Sequence, residues 1–145
     1  MITFSNADIQ FKFNKKRAVK DWIKATILEE NKKTGDISVI FCSDPYILDM
    51  NRQYLGHDYY TDVITFDYVE GDRISGDIFI SIDTVEANSK EYGAASFEEE
   101  LLRVIIHGVL HLLEYDDHTE EDIARMRQAE NDRLQAFKAM TDGKQ

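Results

Sequence analysis

EEELLRVIIHGVLHLLEYDDHTEED, residues 98–122, is the stretch on which the reading of the whole chain turns. Taken as a helix at about 100° per residue, Leu101, Leu102, Val104, Ile105, Ile106, Val109, Leu110, Leu112 and Leu113 spread around most of its circumference. That is the pattern of a helix buried on nearly all sides. The polar residues are not scattered among them. Glu100, Arg103, His107, His111 and Glu114 fall within one narrow arc, so two imidazoles stack one turn apart on a polar stripe.

Histidines at i and i+4 on one helix face can hold a single metal ion. Apolar surroundings disfavour the charged imidazole, and the neutral form is the one that ligates. The competing reading is a pair of core histidines bonded to carboxylates. A lone histidine would favour it; a pair at ligand spacing followed by further donors favours a metal. A catalytic site needs a third ligand and an open position for water. Both Asp117 and His118, in the turn that follows the helix, are competent, and spacing alone does not choose between them. The peptidase pattern H-E-x-x-H is not met. Gly108 stands where those enzymes carry their general base. Glycine inside a helix costs about 1 kcal/mol relative to alanine, so either something approaches the backbone closely there or the helix relaxes locally.

Working outward, residues 15–31 place Ala18, Val19, Trp22, Ile23, Ile27 and Leu28 at amphipathic helical spacing. Asp36 to Cys42 reads as a strand, and Ser43-Asp44-Pro45 opens a helix to about Tyr54. Val63–Tyr68 and Asp77–Ile82 read as strands, 83–92 and 97–114 as helices. A last helix starts near Thr119, with Glu120, Glu121 and Asp122 at its positive end. No linker or repeat divides residues 1–145. The expectation is one α/β (α+β) domain, a small mixed sheet of about four strands packed with helices around a central buried helix that carries the metal site.

The chain has 145 residues, 43% apolar and 31% charged, with a single cysteine, Cys42. No run reaches the roughly 18–20 apolar residues of a membrane span, and a lone cysteine suits a reducing compartment. A cytoplasmic protein without membrane contact is expected. The net charge of −11 argues against indiscriminate nucleic-acid binding. It is unevenly placed: residues 1–60 carry nine Lys/Arg against eight Asp/Glu, and residues 61–145 eight against twenty. Lys12, Lys15, Lys16, Arg17, Lys20 and Lys24 cluster early, either as a solvated helix face or as a polyanion contact.

His107-Gly108-Val109-Leu110-His111-Leu112, followed by Tyr115 and Asp116, resembles the H-G-x-L-H-L-x-G-Y-D-H signature of the YbeY family. Leu48–Tyr54 is similar to that family's L-N-x-x-Y segment, Thr61–Phe66 to its T-D-V-L-S-F strand, and Gly76–Ser81 to its G-D-I-x-I-S strand. The segments occur in family order. The resemblance implies an α/β fold with one zinc ion per chain held by three histidines. It also implies single-strand-specific endoribonuclease action in 16S ribosomal RNA 3′-end maturation and ribosome quality control. The implied partners are ribosomal RNA, the small ribosomal subunit and ribosome-associated proteins. His107 and His111 carry over directly. The family's third histidine falls on Asp117, with His118 one residue later. A one-residue insertion favours His118 as third ligand, while Asp117 keeps the register as the alternative. Glu114 replaces the family glycine, and Leu55 replaces an arginine implicated in RNA binding, leaving Arg52, His57 and Arg103 as substrate-binding candidates. Asp116 and Glu114 are the candidates for proton transfer. Two other functions are kept beside the nuclease: a zinc peptidase or amidase, and a non-catalytic ribosome assembly factor with a structural zinc.

Overall fold

A computed structural model describes residues 1–56, 62–91 and 96–142. The elements run β1 (Ile2–Asn6), α1 (Lys16–Glu29), β2 (Lys33–Cys42), α2 (Asp44–Met50), a π-helical turn (Asn51–Leu55), β3 (Val63–Asp67), β4 (Arg73–Ser81), α3 (Ile82–Glu91), α4 (Phe97–Leu112) and α5 (Glu120–Asp142). The four-stranded sheet has the order β1-β2-β4-β3. β1 and β4 both run parallel to β2, and β3 runs antiparallel to β4. This is the mixed α/β architecture expected from the sequence.

Period-two burial builds the sheet. Ile37, Val39 and Phe41 of β2 share one face with Ile74, Ile78 and Ile80 of β4, all buried. Onto that face pack Val19, Trp22, Ile23 and Ile27 of α1 and nine buried residues of α4. Each fully buried aliphatic side chain contributes about 1.5–3 kcal/mol, so α4 is the helix around which the core closes. Trp22 also donates its indole N–H to the Arg133 carbonyl at 2.8 Å, joining α1 to α5.

β1 has no counterpart in the strands expected above. Its five residues, ITFSN, bury only Ile2 fully, so alternation is too weak to stand out. It supplies the fourth strand by pairing Ile2 with Ile37. The helix ends follow local chemistry. Ser96 accepts from Glu99 N at the start of α4, and Thr119 and Asp122 cap α5 reciprocally, Thr119 Oγ1 accepting from Asp122 N at 3.0 Å.

Two glycines set how closely the layers approach. A Cβ on Gly108 would lie 2.7 Å from Ile78 Cγ2, and one on Gly76 would lie 2.6 Å from the Phe66 carbonyl oxygen and 2.8 Å from Leu112 Cδ2. The helix glycine is therefore explained by a neighbouring element, β4, pressed against the backbone of α4.

Candidate metal centre

α4 holds His107 and His111 on the half-buried stripe of an otherwise buried helix. Their Nε2 atoms stand 3.0 Å apart. The helix then ends in a way that returns the chain to them. Leu113 caps it, Glu114 adopts φ +73°, and Glu114 N and Tyr115 N donate to the carbonyls of His111 and Leu110, each at 3.0 Å. This is a Schellman turn, in which the left-handed position usually belongs to glycine. The reversal brings Asp117 Oδ2 to 3.7 Å from His107 Nε2 and 3.5 Å from His111 Nε2. Among the described residues, His107, His111 and Asp117 are the one group of His, Cys, Asp and Glu donors converging at metal-ligand range.

The fit to a metal follows from those separations. In a tetrahedral zinc site with bonds of about 2.0–2.1 Å, neighbouring donor atoms lie about 3.3 Å apart. The observed 3.0–3.7 Å brackets that spacing. The histidines are also oriented from behind. Glu130 Oε2 accepts from His107 Nδ1 at 2.6 Å, which leaves Nε2 bare toward the other donors, and His111 hydrogen-bonds the Tyr115 backbone. Glu130 is 5% exposed and its other oxygen receives Arg103 Nη1 at 2.9 Å.

The electrostatics follow from this packing. Burial works against the charged form of His107, but the Glu130 hydrogen bond and charge, with Asp62 and Asp117 adding, outweigh it and raise its pKa. Burial and the neighbouring His107 charge lower the pKa of His111. Burial pushes Glu130 up, yet His107 and Arg103 hold it below its ordinary value. Burial raises Asp62 in spite of His107. A cleft of about 330 Å³ opens beside His107, lined by Asp62, Asn88, Glu100, Arg103, Val104, Asp117, Arg127 and Glu130.

The YbeY family profile, described as "Endoribonuclease YbeY", matches residues 1–138. The chain belongs to the YbeY family. It is similar to the Bacteroides thetaiotaomicron endoribonuclease YbeY, 49% identical over 92% of this chain and 96% of that protein. The Parabacteroides distasonis endoribonuclease YbeY is 54% identical over 90% of this chain and 91% of that protein. A solution structure from Thermotoga maritima superposes with a TM-score of 0.66 at 28% identity, covering 99% of this chain and 93% of that one.

In this YbeY-family chain the residues expected from sequence are distributed as follows. His107 and His111 come together, and Asp117 joins them. His118 is exposed and stands outside this group of donors. Arg103 lines the cleft, but its partners are Glu130 and, at 2.9 Å, Asn131 Oδ1, residues of a helix distant in sequence. Glu114 and Asp116 are exposed and absent from the cleft lining, and Arg52 is exposed on the π-helical turn, also away from the lining. His57 lies outside the described residues. Asp62, Asn88, Arg127 and Glu130 are contributions that sequence reasoning missed. Only Glu130 carried a signal: it interrupts the buried stripe Met126, Leu134, Phe137 of α5 with a charge.

Proposed function

We propose that this protein is a zinc-dependent endoribonuclease, with one ion per chain held by His107, His111 and Asp117. Its substrate is single-stranded ribosomal RNA, its reaction 16S 3′-end maturation, and its setting the cytoplasm, in ribosome quality control beside the small subunit and its associated proteins. The convergence of two imidazole Nε2 atoms and one carboxylate oxygen within 4.8 Å carries this reading. The names of the relatives, endoribonucleases, give the bond to be cut.

A divalent ion bound there would activate water and polarise a phosphoryl oxygen. The chain's own residues do the rest. Glu130 keeps the proton on His107 Nδ1, so Nε2 stays a donor. Arg103 and Arg127 balance the carboxylates of the cleft and meet the phosphate. Asp62, whose pKa burial raises, is the cleft carboxyl that takes or gives the proton, in place of the exposed Asp116 and Glu114.

Two observations favour this over the other functions. Position 108 faces Ile78, so no side chain there reaches the cleft as a peptidase base would. Three protein donors, not four, converge among the described residues, which suits an open catalytic site better than a closed structural one.

The test is elemental analysis and single-stranded RNA cleavage on wild type, His111→Ala, Asp117→Ala and His118→Ala. Zinc and cleavage should disappear together in His111→Ala and Asp117→Ala and persist in His118→Ala. Zinc-loaded wild type that leaves RNA intact would end the nuclease reading. Zinc lost from His118→Ala but kept by Asp117→Ala would reverse the third ligand.

A further inference from the structure

The metal cleft offers RNA phosphates a poor welcome. Asp62, Glu100, Asp117 and Glu130 line it against only two arginines, in a chain of net charge −11. Attraction for a polyanion has to come from elsewhere on the surface. The cations lie on α1 and just before it. Lys12, Lys16, Arg17 and Lys24 are exposed. Among the described residues none of these forms an ion pair, whereas Lys15 beside them is held by Glu98 at 2.5 Å.

Lys12, Lys16 and Arg17 line a groove of about 650 Å³ together with Asn6, Gln10 and Asn14. Phe11 is a wall of this groove and also of the next depression, of about 590 Å³, which continues with Phe97, Ser96 and Ser89. Asn88, the neighbour of Ser89 on α3, belongs to the metal cleft. The first two depressions thus share Phe11, and the second and third are lined by consecutive residues of α3. The Lys15–Glu98 pair ties the head of α1 to that turn, and the nine residues from Glu98 to His107 span about 14 Å of helix axis.

We propose that these depressions form one continuous track for single-stranded RNA, entering over Lys12, Lys16 and Arg17, passing Phe11 and Phe97, and ending at His107. The proposal rests on the ribonuclease reading above and names the surface that supplies its affinity. Sites for single strands combine a cationic groove for the backbone with aromatic rings for base faces, and amides can reach base edges. All three are present here in the order groove, rings, cleft. A duplex hides its base faces and has no use for the rings.

The test is fluorescence anisotropy with labelled 2′-O-methyl RNA, which resists cleavage, in lengths of about 4 and about 12 nucleotides. Zinc-loaded wild type should bind the longer strand at least tenfold more tightly. The variant Lys12→Ala/Lys16→Ala/Arg17→Ala should lose that gain, keep its affinity for the short strand, and show a salt slope shallower by about 2. A control, Lys33→Ala/Arg73→Ala, removes two exposed cations at the opposite end of the sheet and should bind like wild type. Equal losses in the two variants, a triple variant that binds normally, or a duplex held as tightly as the single strand would each overturn the track. Because binding is read without cleavage, a protein that binds as expected but never cuts RNA refutes the nuclease and not the track.

Discussion

Glu130 Oε2 lies 2.6 Å from His107 Nδ1, on a carboxylate that is almost wholly buried and that also receives Arg103 at 2.9 Å. The pair fixes the tautomer and plane of the imidazole whose other nitrogen faces His111 and Asp117. Carboxylates in this position strengthen a histidine ligand, and their loss typically weakens metal affinity 10–100-fold. Glu130→Gln should therefore raise the zinc Kd by about that factor in a chelator competition while circular dichroism stays native. An unchanged Kd would show that Glu130 serves only to neutralise Arg103.

The same pair gives the metal-free protein a pH signature. His107 is raised above 6.5, so its contribution is fully present below that ordinary value and is lost as pH rises through the raised one. Glu130 is lowered below 4.5, so its contribution is present above that value and lost as pH falls through the lowered one. The Tm difference between wild type and Glu130→Gln should be largest between pH 4.5 and 6.5 and shrink on both sides. A difference that does not vary with pH would mean that the pair is not ionic.

Gly108→Ala adds a Cβ 2.7 Å from Ile78 Cγ2. Overpacking of this kind costs about 1–3 kcal/mol, against a helix-propensity gain of about 1 kcal/mol. A net fall in Tm is expected. The double variant Gly108→Ala/Ile78→Ala should be less destabilised than the sum of the singles, because the clash has lost its partner. Additive losses would place the cost in the helix rather than between helix and sheet.

Glu114 occupies the left-handed position of the Schellman turn at φ +73°. A side chain there costs roughly 1–2 kcal/mol, part of which glycine's greater unfolded-state freedom offsets. Glu114→Gly should raise thermal stability by about 1 kcal/mol. Zinc content and RNA cleavage should be unchanged, since Glu114 lies outside the cleft. A large loss of cleavage with zinc retained would restore Glu114 as the proton carrier.

How much of this was readable in advance depended on how far apart in sequence the interacting groups lie. The pairing of His107 with His111 was legible because helical geometry fixes the relation of i to i+4. The buried character of α4 was legible from apolar residues on nearly every position, and the strands β2, β3 and β4 from their β-branched runs. β4 nevertheless begins at Arg73, four residues before the apolar alternation becomes obvious at Asp77. β1 was invisible because a parallel edge strand of five residues is stabilised by its partner rather than by its own pattern. Arg103 read from the sequence as a substrate-binding candidate on the polar stripe of its helix. Packing of α5 across α4 gave it Glu130 and Asn131 as partners.

Local periodicity and residue chemistry were enough to establish the helix, its two imidazoles, the sheet's main strands and the family pattern. They left the third donor open between Asp117 and His118, because one residue of turn length shifts which side chain returns to the helix. The tertiary structure adds the left-handed backbone at Glu114, which reverses the chain so that Asp117 stands 3.5–3.7 Å from both imidazoles while His118 is exposed. The placement of Glu130 and Asp62 in the cleft likewise came from packing. They reach His107 from 23 positions after it and 45 before it, and no local rule of sequence spacing spans such distances.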